Sequence, residues 1–234
     1  MVVEIAFAVI LLIGAGLALR SFARLLAVDP GFRYDNVMTV GLALPGDRYE
    51  AASARQAFFE RALPAVRAVP DVGEVGAAVV VPLTGNNWTA GFARADQPVR
   101  SGERPPDVGW QVASGGFFKA LRIPIVAGRL FDERDRPDGP PVVILSEAIQ
   151  RRFFPNESPV GRAISLGGGG TAEIVGVVGN IRRASLEDEP RADLYFPFER
   201  GFASQITMFV RTSSPSTTPF PATGRGCGRS SPTP

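Results

Sequence analysis

The side chains that most often carry chemistry are scarce in this chain. Histidine is absent from the 234 residues, and the single cysteine, Cys227, lies near the C-terminus. A triad that needs imidazole as its base therefore cannot be built. Zinc sites made of Cys and His lack their ligands. One thiol cannot close a disulfide within the chain, so cysteine usage says nothing about redox compartment. Ser114 and Lys119 are five residues apart. That misses the Ser-x-x-Lys arrangement, which sets nucleophile and base on one helical face. Any other hydroxyl nucleophile lacks an obvious base. A carboxylate-only mechanism needs two facing acids, and no stretch indicates such a pair.

Three further patterns have simpler readings. Gly167 to Gly170 form a four-glycine run, but no Gly-Lys-Ser/Thr follows. It is therefore no phosphate-cradling loop, and it reads as a hairpin turn between strands around Ile164 and Ile174. Asp132, Asp135 and Asp138 fall three apart with arginines between them. Calcium loops place their acids two apart and end on a distal glutamate, so this stretch reads as a solvated connection between strands. The sequons at Asn87 and Asn156 carry no weight, because such short patterns arise by chance. No catalytic, cofactor-binding or metal-binding residue is expected, and no cofactor.

Composition agrees with a folded domain. Hydrophobic residues make up 45% and charged residues 21%, close to the globular average, so a sizeable core is possible. Net charge is +2, and Lys119 is the only lysine. Nucleic-acid binding calls for clustered basic residues interleaved with aromatics, and none is present.

Which elements, then, does the sequence specify? Ile5 to Leu19 carry no charge, and with Met1 to Val3 the stretch approaches the roughly 20 residues of a membrane-spanning helix. Glu4 lies near one end, where it can sit at the interface or face a partner helix. Gly14, Ala15 and Gly16 permit close helix approach, and Arg20 and Arg24 can snorkel to headgroups. A signal peptide would need a basic n-region and a small-x-small cleavage site, and both are missing. The positive-inside rule places Arg20 and Arg24 in the cytoplasm, although a large translocated domain can override local charge.

After the turn Asp29-Pro30-Gly31, Val37 to Leu44 reads as a strand. Ser53 and Gln56 form a capping box. They open a helix with Phe59, Leu63 and Val66 on one face, in which Pro64 predicts a kink or early end. Val75 to Val81 closes a β-α-β unit of the kind that yields a parallel pair. Short strands follow at Trp88–Ala93, Val108–Ala113, Ile123–Phe131, Pro141–Leu145, Ala163–Leu166, Ile174–Val178, Leu194–Phe198 and Ile206–Arg211. Short helices are expected around Phe117 to Leu121 and after Ser146, an N-cap, until Pro155. The expected class is α+β: a transmembrane helix over 1–26, then a domain over 27–211 with a β-α-β framework and a β-rich insertion. Residues 212–234 are rich in Ser, Thr, Pro and Gly and are expected to be disordered. That tail is either a low-complexity extension or the product of a frameshift that replaced a helix, which the nucleotide sequence decides.

In this order the segments are recognisable. Gly14 to Pro45 (GAGLALRSFARLLAVDPGFRYDNVMTVGLALP) resembles the first membrane helix and following strand of MacB/FtsX-type ABC-transporter permeases, most strongly the duplicated acidobacterial type. Val112–Phe131, Arg136–Phe154, Ser158–Ile164, Ile174–Arg182 and Pro190–Phe198 follow as further matching blocks. The resemblance implies a MacB-like periplasmic core domain with a porter-like β-α-β part. It implies a mechanical role without catalytic residues, transmitting the ATP-driven motion of a cytoplasmic ABC-type ATPase. It also implies the bacterial inner membrane, a domain on the extracytoplasmic side, and association with further permease helices or copies as a dimer. Members of that family continue into more membrane helices, so the chain is expected to be a truncated permease. The alternative is a single-pass anchored binding or scaffold module.

Overall fold

In the computed structural model the described residues are 2–26, 28–44, 49–85, 88–97, 99–100, 102–166, 170–183, 191–198 and 205–213. Helix α1 (Val2–Leu26) is apolar all round and stands apart from the core. Its Val3–Arg24 portion, with mean hydropathy 2.2, is long and apolar enough to cross a membrane. At 1.5 Å per residue the helix is about 37 Å long, against about 30 Å of bilayer hydrocarbon.

The remainder is a mixed sheet with three helices against it. The elements are β1 (Val37–Ala43), α2 (Ala52–Arg67), β2 (Val72–Ala78), β3 (Thr89–Gly91), β4 (Ala93–Arg94), β5 (Asp107–Ala113), α3 (Gly115–Ala120), β6 (Ile125–Gly128), β7 (Val142–Ser146), α4 (Glu147–Phe153), β8 (Ala163–Ser165), β9 (Thr171–Val178), β10 (Asp193–Pro197) and β11 (Gln205–Thr212). The strand order is β1-β11-β2-β5-β10-β7-β9-β8-β4, with β3 on β5 and β6 on β9.

The expected parallel pairing of β1 with β2 does not form. Strand β11 lies between them, antiparallel to both. Its alternation explains the insertion: Ile206 and Phe209 are both buried, one against the α2 side and the other against the α3 side. A strand with two apolar faces belongs in the middle of a sheet, not at its edge. Everything from Val79 to residue 204 is thus inserted between two sheet neighbours, β2 and β11. In the sheet β2 and β5 pair at Ala78 and Ala113, and the Ser114 N–H donates to the Ala77 carbonyl at 2.8 Å beside that pair.

Each helix covers its own apolar cluster. Phe59 of α2 seals Ala77, Val112, Phe198 and Ile206. Phe117 and Phe118 of α3 pack with Tyr195, Phe209 and Ile144. Ile149 of α4 closes over Phe92, Leu145 and Ile174. Burying a side chain of this size contributes about 1.5–3 kcal/mol. Leu63 packs against the α2 cluster and Val66 is half-buried, as their spacing predicts.

Several local expectations are corrected. Helix α2 starts one residue before Ser53 and has no side-chain cap, with Ala51 at the N-cap. Pro64 lies inside it, in the last turn, and the helix runs on to Arg67. Ser146 does occupy the N-cap of α4, but its Oγ accepts from the Asp193 N–H at 2.8 Å. The cap comes from a distant residue, Asn180, whose Oδ1 accepts from the Ala148 N–H at 2.7 Å. The glycine run lies between the antiparallel β8 and β9, with Ser165 opposite Thr171, as a hairpin requires; residues 167–169 themselves fall outside the described residues, as does the tail from 214.

Candidate functional site

A dense set of contacts forms the joint between α1 and the sheet. It begins with a turn that the sequence demands: the Gly31 N–H donates to Asp29 Oδ1 at 2.9 Å. Gly31 has φ +82°, and a Cβ there would run into the carbonyl of Asn180. Glycine is required both for the left-handed backbone and for the close approach. The Pro30 carbonyl accepts from the Arg182 N–H at 2.9 Å, and the Asp29 carbonyl from Arg182 Nε at 3.3 Å. Phe32, 8% exposed, is driven into the α3 cluster. The Arg33 N–H then donates to the Leu121 carbonyl at 2.8 Å.

Arg211, near the end of β11, fastens the same linker from the other side. Its Nε donates to the Ala120 carbonyl, Nη1 to Asp35 and Nη2 to Arg33, each at 2.6 Å. One guanidinium thereby ties the linker, the end of α3 and the last strand into one body. Burial lowers its pKa and the nearby Arg122 lowers it further, with Asp35 opposing. Carbonyl dipoles are the main compensation for a charge held at 7% exposure. Val37 pairs with Arg211, and the Thr212 N–H donates to the Asn36 carbonyl at 2.9 Å. The chain therefore enters and leaves the folded domain side by side.

A line of fixed contacts leads inward from this joint. Asn180, whose backbone meets Gly31, caps α4 with its side chain. Three residues along, Arg183 pairs with Asp193 at 2.7 Å, both about 1% exposed. Burial raises the Asp193 pKa while Arg183 opposes it, and burial pushes the Tyr195 phenol well above its ordinary value. Gly109 on the adjacent β5 leaves room for this pair, because a Cβ would displace Asp193 Oδ1 and the guanidinium.

Beside α2 lies an open groove of about 710 Å³. Phe59, Leu63, Phe198 and Ile206 line its apolar part, with Lys119 and Asp132 among the charged residues around it. It is continuous with the loop that the sequence reads as solvated. There Asp132 is paired with Arg134 at 2.7 Å, while Asp135 is buried at 3% exposure and held by both Nη atoms of Arg129 at 2.7 Å. The loop is thus pinned by an internal ion pair, and its two inner acids are committed to arginines.

Ser114 and Lys119 both line this groove. Ser114 sits at the N-cap of α3, and its Oγ accepts from the Ala77 N–H at 2.8 Å. Among the described residues no group of three or more His, Cys, Asp or Glu could hold a metal ion. The joint itself was not expected from sequence. Its only local sign is the Asp29-Pro30-Gly31 turn, because an arginine that bonds three carbonyls has no sequence pattern.

Residues 5–219 match the MacB-like periplasmic core domain family. No curated protein matches the sequence. Among solved structures, the extracellular domain of the noncanonic ABC-type transporter YknZ from Gram-positive bacteria aligns with 21% identity and TM-score 0.46, covering 76% of this chain and 84% of that one. The periplasmic region of MacB from Actinobacillus actinomycetemcomitans aligns with 18% identity and TM-score 0.48, covering 81% and 80%.

Proposed function

The chain belongs to the MacB-like periplasmic core domain family, and from that membership we propose that it serves an ABC-transporter permease as a mechanical, non-catalytic component. In this reading α1 anchors the chain in the bacterial inner membrane, and residues 27–211 form an extracytoplasmic domain. A cytoplasmic ABC-type ATPase moves the membrane helices, and the domain converts that motion into rearrangement outside the membrane. Further permease helices or a second copy complete the assembly.

The observation that carries this reading is the Arg211 latch. A domain on a slack tether would receive no displacement from its membrane helix. Here Pro30 is already bonded to the body of the domain, four residues after α1 ends. Such a stretch spans at most about 14 Å. The side-by-side arrangement of β1 and β11 supports the same reading, because a chain continuing beyond Thr212 starts next to where α1 arrives.

The groove beside α2 favours a second reading, an anchored module that binds a partner without driven motion. Purification of the tagged full chain from bacterial membranes in mild detergent separates the two. Transport predicts that an ABC-type ATPase and vanadate-sensitive ATP hydrolysis accompany it. Recovery from the membrane with no ATP-hydrolysing subunit contradicts the transport reading and leaves the anchored module.

A further inference from the structure

Outside α1, six large apolar side chains are exposed among the described residues: Tyr34, Val69, Leu83, Trp88, Ile125 and Val126. Single exposed apolar residues are ordinary on a protein surface. Their placement here is not scattered, since four of the six surround the linker. Tyr34 lies within it and is 69% exposed. Val69, 52% exposed, opens the turn whose Asp71 carbonyl accepts from the Ser213 N–H at 2.8 Å, beside Asn36. Ile125 and Val126, 50% and 47% exposed, begin β6 directly after Pro124. The Pro124 carbonyl accepts from the Gly179 N–H at 2.8 Å, next to the Asn180 on which Gly31 rests.

We propose that this linker-bearing end of the domain is a membrane-contacting face, seated on the bilayer interface with Tyr34, Ile125 and Val126 at headgroup level. The inference rests on the reading of α1 as a membrane span. Given that span, chain length limits how far this face can stand from the bilayer. The linker is fixed to the domain at Pro30, within about 14 Å of the end of α1. The headgroup layer is itself several ångströms deep, since a bilayer of about 30 Å hydrocarbon is about 40–45 Å thick in all. Tyrosine is favoured at that level because its ring is apolar and its hydroxyl stays wet. Arg33, Arg122, Arg182 and the buried Arg211 stand here against Asp29, Asp35 and Asp71, an excess of only one charge. Insertion of apolar side chains, and not attraction to anionic lipid, therefore provides the affinity. Zwitterionic lipid suffices.

The test uses the full chain with Cys227→Ser, a single new cysteine and an environment-sensitive fluorophore. It is reconstituted in phosphatidylcholine vesicles carrying doxyl groups either near the headgroup or deep in the acyl chain. Cysteines replace Tyr34, Ile125, Leu83 or, within the span, Leu12. Labels at Tyr34→Cys and Ile125→Cys are expected to be quenched by the shallow doxyl at least about twofold more than the label at Leu83→Cys, as for interfacial insertion. Leu12→Cys is expected to respond to the deep doxyl. If Leu12→Cys responds while the Tyr34 and Ile125 labels behave like Leu83→Cys, the span stands and the face is overturned. If Leu12→Cys does not respond, the span reading fails and this inference falls with it. A blue-shifted but unquenched label at Tyr34 or Ile125 means that protein covers the face, which also overturns the proposal.

Discussion

Arg183 and Asp193 meet at 2.7 Å with both side chains about 1% exposed, and each makes the other tolerable in the core. Removing one partner strands a buried charge, which costs about 3–5 kcal/mol, whereas removing both is far milder. Arg183→Met should therefore lower the urea-unfolding free energy by roughly that amount, and Arg183→Met with Asp193→Leu by less. The sign of the pH dependence follows from the direction of the shift. Burial raises the Asp193 pKa in the folded state, so its ionisation costs stability, and that cost disappears as pH falls through the folded value toward the ordinary value of about 4. Without Arg183 the folded value rises further, so the deficit of Arg183→Met should shrink as pH falls from 8 toward the ordinary carboxylate value of about 4. A deficit that is constant over that range would show the pair to be unimportant electrostatically. Asp132, held below the usual carboxylate range first by its hydrogen bond from Arg134, acts in the opposite sense. It adds stability above about 4, and that contribution is lost as pH falls further.

Among the elements, the strands were readable because two-residue alternation and turn residues mark them locally. The predicted segment Val108–Ala113 is β5 almost to the residue, and Ile206–Arg211 is β11. Their neighbours were not readable. Nothing in Val37–Ala43 or Val72–Ala78 says that a strand from the far end of the chain separates them. The caps show the same limit. Ser146 has the right type and position, yet its hydroxyl serves Asp193 while Asn180 reaches in from another segment. Loss of a side-chain N-cap costs about 1 kcal/mol. Asn180→Ala is expected to lose that much in chemical denaturation, because it removes the α4 cap. Arg211→Met removes two charge-assisted bonds from the linker and one from the end of α3, and should expose the linker. Trypsin cleavage after Arg33 is predicted to accelerate about tenfold, which corresponds to about 1.4 kcal/mol of local opening. Cleavage after Arg100, in a distant loop, should be unchanged. Equal rates after Arg33 in variant and parent would remove the latch from the account.

For the molecule as a whole, the α+β class and the apolar helix were legible, since composition and hydropathy determine them. The joint was not, because it consists of backbone carbonyls gathered by one arginine and of a glycine pressed on a distant peptide. These contacts exist only once β11 has returned to lie beside β1. They also make the domain and the chain entering it a single mechanical body, and the transmission proposal depends on that. Hydrogen exchange of the full chain in lipid nanodiscs tests this most directly. The account predicts that the amides bonding the linker to the domain, those of Arg33 to Leu121, Arg182 to Pro30 and Thr212 to Asn36, exchange as slowly as those in the middle of β11. Exchange of the linker amides within seconds, with β11 still protected, would mean that the domain hangs on a free tether and cannot be driven through α1.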